Sequence, residues 1–311
     1  MEDMEKYLFD KLGPEIKQNY PLRDLTSLRV GGVADYFFAA ESIADLTAAV
    51  SAASSKSIPY FILGGGYNIV PADAGFPGLV IKNESNNIVF NSESSTVIVD
   101  SGVSLGRLIN LAAGRDLGGL EFLFGVPGTV GGAVYGNAGA FGHAIGDFVK
   151  SITLLIPRVD KISIVRHDAS WMDFCYRSSR LKEKYTGQNI KPVILTVTLQ
   201  LAQRRKDEIL RLMQVHIGRK KETQPVAEFS AGSFFKNPDK STAAGLLLDQ
   251  AGVKKLKFGD ACFSKKHANF LINRKNAKAS DVRLLAEKAK ELVRQKYGID
   301  LEEEIEYIGK W

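Results

Sequence analysis

Cysteine is nearly absent from this chain. Cys175 and Cys262 are the only two in 311 residues, and no CxxC pair occurs. That excludes a disulfide scaffold and a thiolate-built metal centre, and it suits a reducing cytoplasm. Histidine is as scarce, with four scattered copies, so no zinc cluster and no metal requirement is expected. The longest uncharged stretch, Phe122 to Gly146, is 25 residues long but is broken by Pro127 and repeated glycines. A membrane span needs about twenty apolar residues that hold a helix, so no membrane insertion is expected. The opening residues MEDMEKYLFDKLG are charged and lack an apolar core, so no secretory leader is expected either. Two nucleotide signatures are missing as well. No GxxxxGK[ST] occurs, which excludes a P-loop, and no strand–GxGxxG–helix unit occurs, which argues against a Rossmann dinucleotide site.

The apolar content of 45% with 24% charge is that of a globular protein, and 311 residues exceed one typical core. Two or three domains are expected. The net charge of +6 is uneven: residues 201 to 300 hold 22 Lys/Arg against 11 Asp/Glu, while the remainder holds 19 against 24. A basic segment suits a polyanionic partner. Its charges are spread over helical patterns with few aromatics between them and no nucleic-acid motif. A small phosphorylated substrate is equally compatible, and so are solvated helix faces.

Helical and strand patterns alternate without a repeat. Ser42 and Asp45 form a capping box ahead of a helix, and residues 58 to 63, IPYFIL, read as a buried strand running into GGGYN. GLVIK, STVIVDSG, ITLLI and VILTVTLQLA read as further strands, and LGRLINLAAGRDLG as a helix ending at glycine. Beyond residue 201 come helices near 206 to 218, at TAAGLLLDQAG and from Ser280 to Tyr297, then a closing strand LEEEIEYIG. The fold class is α+β, with a boundary expected near 200.

What the chain has in quantity is glycine in two places. GVPGTVGGAVYGNAGAFG, residues 125 to 142, holds seven glycines and no charge, and GGGYN occupies 64 to 68. A flexible linker would be more polar, whereas this stretch carries Val126, Val130, Val134, Tyr135 and Phe141. Tight turns in an ordinary core are one reading. The other is that glycine lets main chain approach a ligand and aim N–H groups at anionic oxygens, with a pyrophosphate held between the two loops.

Seven segments in order carry a resemblance: TSLRVGGVADYF (26 to 37), GGGYN, LEFLFGVPGTVGGAVYGNAGAFG, FCYRSS (174 to 179), SAGSFFKNP (230 to 238), SKKHANFLIN (264 to 273) and LEEEIEYIG. From about residue 20 onward the chain resembles the UDP-N-acetylenolpyruvoylglucosamine reductase (UDP-N-acetylmuramate dehydrogenase) family of peptidoglycan precursor synthesis. The resemblance implies a two-subdomain FAD-binding region of the vanillyl-alcohol-oxidase (PCMH) type plus a C-terminal α+β substrate-binding domain. The implied divisions are 1–84, then 85–200 joined by the C-terminal strand 298–311, and 201–297 for the substrate. It implies non-covalent FAD, NADPH as hydride donor, a UDP-sugar substrate, no nucleic-acid partner and a cytoplasmic monomer.

The cofactor residues implied are Arg29, Gly31, Gly32, Gly64, Gly65, Gly66, Tyr67, Asn68, Pro127, Gly128, Thr129, Gly131, Gly132, Asn137, Ala138 and Gly139. In the family's reaction a hydride reaches C3 of an enolpyruvyl ether, negative charge develops at C2, and C2 then takes a proton. Arg177 matches the arginine whose forked donors suit the substrate carboxylate. Ser233 matches the serine that protonates C2. Glu304 matches the carboxyl group beside it, which must be protonated or hydrogen-bonded to avoid worsening the charge. Tyr176, Lys221 and Asn237 match positions near the UDP moiety, and Lys236 with the Lys265–Lys266–His267 run is a further contributor there. Read without the family, Arg177 beside Tyr176 is a structural cation–π or salt-bridge partner, Glu304 a surface strand residue and Ser233 a turn residue.

Four departures stand out. Tyr67 replaces a serine in the GGGSN loop, Gly136 replaces a larger residue, Arg180 and Leu181 follow YRSS where an aromatic is common, and Glu306 stands where a basic residue is usual. On one strand face, Glu306 would either raise the pKa of Glu304 or face solvent. Two other functions stay open from sequence. One is a flavoprotein of the same fold with another substrate, for which His143 offers a covalent flavin link; the other is a non-catalytic nucleotide or nucleic-acid binder on the basic region.

Overall fold

A computed structural model describes residues 2–158, 161–188, 191–239 and 241–311. The chain forms two compact units. One takes in Met1–Gln18, Tyr36–Gly65 and Gly78–Gly218, the other Asn19–Asp35, Gly66–Pro77 and Arg219–Trp311.

In the first unit the helix Ile43–Ser55 starts as the sequence predicts. The Ser42 side chain accepts from the Asp45 amide at 3.1 Å, and the Asp45 carboxylate accepts from the Ser42 amide at 3.0 Å. Leu46, Ala49, Val50 and Ala53 then fall on one face and bury against Tyr60, Leu79 and Ile81. Tyr60–Leu63 and Phe76–Asn83 pair in parallel, Leu63 opposite Lys82. A five-stranded antiparallel sheet has the order Ile162–Asp168, Val149–Pro157, Val193–Gln200, Thr96–Asp100, Ile88–Asn91. The helix Leu105–Ala113 packs Leu105, Leu108, Ile109 and Ala112 into the core beside it.

In the second unit, Phe229–Ser233, Phe270–Asn273, Ala261–Phe263 and Lys257–Phe258 form an antiparallel sheet in that order. The helix Ala279–Tyr297 buries Val282, Leu285, Ala286, Ala289 and Val293 in the core of that unit and stops at Gly298, whose φ is +68°. Asp73 closes its start, accepting from the amides of Ala279 and Ser280 at 2.8 and 2.9 Å.

The two units do not coincide with the divisions expected from sequence. The units part at Gly218, inside the helix Lys206–Thr223, rather than near 200, because Ile209 and Met213, one turn apart, bury in the first unit's core. Residues 1–84 do not form a unit of their own, since 36–65 cluster with 78–218. The C-terminal strand does not join residues 85–200. It spans only Glu306–Ile308 and pairs in parallel with Ile69–Pro71, while Leu301 and Ile305 sink into a core with Leu28, Val30 and Val70. A bend at Ile305 also removes the strict alternation expected to put Glu304 and Glu306 on one strand face. Among the described residues, no helix is long and apolar enough to cross a membrane.

Candidate active site

Gly64 and Gly65 share the first unit with the glycine-rich stretch 125 to 142. A Cβ on Gly64 would lie 2.6 Å from the Thr129 hydroxyl, so the main chain of the first loop backs directly onto the second segment. That segment is more ordered than its composition suggests. Thr129 caps a short helix, Val130–Tyr135, accepting from the Gly132 amide at 3.3 Å.

The glycines divide into two kinds. The amides of Val130 and Gly131 donate to the carbonyls of Val103 and Ser101, both at 2.8 Å, and a Cβ on Gly131 would meet the Ser101 Cβ at 2.7 Å. A Cβ on Gly139 would meet the His143 carbonyl at 2.7 Å. At these positions the chain's own packing already calls for glycine. Gly128 is different: its φ is +128°, which disfavours any side chain, and nothing lies within 4 Å of where a Cβ would stand. Residues 64 to 68 are a run of bends, and among the described residues the amides of Gly65 and Tyr67 have no backbone acceptor. Bare main chain at Gly128, a donor at Gly65, and the exposed Pro127 and Gly132 fit the phosphates and edge of a flavin dinucleotide. Tyr67 is 42% exposed, so its extra bulk points outward from the packed chain.

Asn137 and the FCYRSS segment extend this assembly. Asn137 is buried at a φ of +46°; its side chain donates to the Cys175 carbonyl at 2.8 Å and accepts from the Gly146 amide at 3.1 Å. Ala138 follows, its amide bonded to Ala133 at 2.8 Å. Cys175 and Ser178 exchange both backbone hydrogen bonds at 3.2 Å, leaving Tyr176 and Arg177 as the two residues of a tight turn. Arg177 takes a φ of +56°, and its guanidinium lies 5.9 Å from the Tyr176 ring centre. Ser179 ties the turn down by donating to the Tyr135 carbonyl at 2.6 Å. Arg180 opens the next helix and stacks over Trp171 at 5.3 Å. The turn is thus fixed on both sides while Tyr176 stays 57% exposed.

Ser233 and Glu304 come together in the second unit. Gly232, at a φ of +79°, breaks the register between Ser230 and Ser233 and sets Ser233 opposite Phe270. The next carbonyl, Phe234, accepts from the Glu304 amide at 2.8 Å, and the Lys236 amide donates to Glu302 at 2.8 Å. Lys290 pairs with Glu303 at 2.7 Å, anchoring the same segment to the long helix. The Asn68 side chain donates to the Glu304 carbonyl at 3.1 Å, so that residue supports the acid's backbone from within the unit.

Nearby, Arg29 takes a φ of +54° and lays its guanidinium 4.1 Å from the Phe229 ring centre. Gly31 and Gly32 are required by close passage over Pro71 and Asp73, and Gly66 by passage over Leu25.

A cavity of about 410 Å³ opens beside Ser233, lined also by Asn237, Asp249, Lys254, Lys266 and His267. The Asn237 amide oxygen accepts from the Ala244 amide at 3.0 Å, fixing its rotamer at the rim. Lys221 is exposed, and its carbonyl accepts from the Lys266 ammonium. His267 was part of a quoted motif, but Asp249 and Lys254 carried no signal in sequence. Burial, then the charge of Lys254, holds His267 below the usual imidazole range, with Asp249 opposing. Its Nδ1 accepts from the Asn269 amide at 3.1 Å, so the neutral ring carries its proton on Nε2 as a donor. Of the three proposed catalytic side chains, Ser233 and Glu304 thus share the second unit, and Arg177 belongs to the first. Among the described residues there is no metal-binding cluster of His, Cys, Asp and Glu.

Residues 224–308 match the model of the UDP-N-acetylenolpyruvoylglucosamine reductase C-terminal domain, and residues 34–158 that of an FAD binding domain. UDP-N-acetylenolpyruvoylglucosamine reductase of Caldicellulosiruptor bescii is 36% identical over 99% of this chain and 95% of its own length. The enzyme of that name from Geobacter metallireducens is 38% identical over 96% of each. The crystal structure of the Thermus caldophilus reductase superposes with a TM-score of 0.75 at 31% identity, covering 94% of this chain and 98% of that one. With a near full-length match in sequence and fold, the chain belongs to the UDP-N-acetylenolpyruvoylglucosamine reductase family of FAD-dependent oxidoreductases.

Proposed function

We propose that this chain reduces UDP-N-acetylenolpyruvoylglucosamine to UDP-N-acetylmuramate at the expense of NADPH, as a cytoplasmic monomer acting on a small molecule. When bound, non-covalently, FAD supplies the relay of hydride from NADPH to C3 of the enolpyruvyl group. Pro127, Gly128, Thr129 and Gly132, with Gly64, Gly65, Gly66 and Tyr67, are the residues to hold it. Arg29, Gly31, Gly32, Gly131, Ala138 and Gly139 shape the main chain around them, and Asn68 and Asn137 brace it.

The chain's own chemistry concerns charge and a proton. Arg177 binds the substrate carboxylate through two parallel donors and stabilises the charge that spreads from C2 onto it. Ser233 gives its hydroxyl proton to C2. Glu304, protonated or hydrogen-bonded in that step, backs the serine without adding negative charge. Tyr176, Lys221 and Asn237 bind the UDP moiety, with residues 201–297 as the substrate-binding segment. The observation that carries the reading is the Glu304–Phe234 backbone bond, which ties the acid's segment to the Ser233 strand at the rim of a polar cavity.

The test is NADPH oxidation by flavin-loaded protein, with and without UDP-N-acetylenolpyruvoylglucosamine. Substrate-independent turnover, or none, defeats the assignment. Acid precipitation should leave the flavin in the supernatant; flavin in the pellet would point to covalent attachment. Arg177→Lys keeps the charge but loses the fork, and kcat/KM is expected to fall about 10- to 100-fold, the weight of one charge-assisted pair. Unchanged steady-state kinetics would rule out the bidentate clamp. Glu304→Gln should slow the substrate half-reaction alone, read by stopped-flow reoxidation; a matching loss in the NADPH half would place Glu304 elsewhere.

A further inference from the structure

Lys82 is a cation in an apolar row. Leu79, Val80 and Ile81 before it are fully buried, and Lys82 itself is half-buried, in register with Leu63 at the end of the parallel neighbour strand. Gly64 follows Leu63, and the Lys82 ammonium donates to the Gly64 carbonyl. That same glycine backs onto Thr129. Lys82 therefore stands where the two glycine-rich segments converge, at the carboxyl ends of two parallel strands.

Its surroundings do not complete it. Glu84 acts on it only through space, and among the described residues no carboxylate forms an ion pair with it. Burial pushes the amine below the usual lysine range. An ammonium has three donors and costs free energy to desolvate, whereas Met or Leu would continue the apolar row without that cost. A lysine here is explained if an anion joins it.

We propose that the Lys82 ammonium is a binding group for the diphosphate of FAD. The proposal rests on the FAD reading of this site and assigns the cation that reading left unnamed. The test titrates apo protein with FAD and with riboflavin, which carries the ring without phosphate, for wild type, K82M, K82Q and K82R. K82M is expected to weaken FAD about 10-fold or more while changing riboflavin by less than about twofold, and K82R to stay within about threefold for FAD. K82Q keeps a neutral donor for the Gly64 carbonyl and loses only the charge, so it should follow K82M. Wild-type FAD affinity in K82Q overturns the proposal alone, as does equal weakening of FAD and riboflavin. Should K82M fail to fold, K82Q against K82R decides. A wild-type chain that takes up no FAD would instead remove the cofactor reading, and this proposal with it.

Discussion

Ser233→Ala is expected to leave flavin reduction by NADPH within about twofold while slowing reoxidation by substrate by about 10²- to 10⁴-fold, the usual weight of a positioned proton donor. The split follows from where the hydroxyl sits. Gly232 breaks the strand register just before it, and Phe234 and Phe235 just after it are clamped, so Ser233 is held at the cavity while its neighbours face the core. A serine hydroxyl is a weak acid, and it transfers its proton only to a centre already carrying charge. Such charge appears only after hydride has reached the alkene. Rapid mixing resolves the two halves, and equal slowing of both would remove Ser233 from the proton's path.

Asn269→Ala is expected to destabilise the second unit by roughly 2–5 kcal/mol, because it strands two buried backbone groups at once. The Asn269 amide accepts from the Phe235 N–H at 2.9 Å and donates to the Phe235 carbonyl at 2.8 Å. Its own main chain accepts from Phe234 at 2.8 Å. Asn269 is 4% exposed, so water does not replace these partners. Chemical denaturation of the variant should show the loss. A melting curve unchanged from wild type would mean that the Ser233 strand is held by other contacts.

Much of this architecture was legible in the residues. The capping box at Ser42 and the periodicity of Val282 to Val293 are local rules, and local rules survive folding. The ordered motifs named the family, which single residues did not. What the sequence concealed is non-local. Nothing in LEEEIEYIG says that its partner is Ile69–Pro71, because parallel pairing depends on which edge is open. Glycine by itself is ambiguous, since a close backbone crossing such as Gly131 over Ser101 demands the same residue as a ligand does. Lys82 was invisible for the opposite reason: one lysine ending a strand reads as a solvated end until its depth is known.

Arg177 sits at a left-handed backbone position that an L side chain occupies at a cost of about 1–2 kcal/mol and glycine without it. Selection for thermal tolerance alone, blind to turnover, would therefore drift toward Gly at 177 and lose the carboxylate clamp proposed for Arg177. Any stabilising campaign on this scaffold needs catalysis in the screen, because at that turn robustness and chemistry pull in opposite directions.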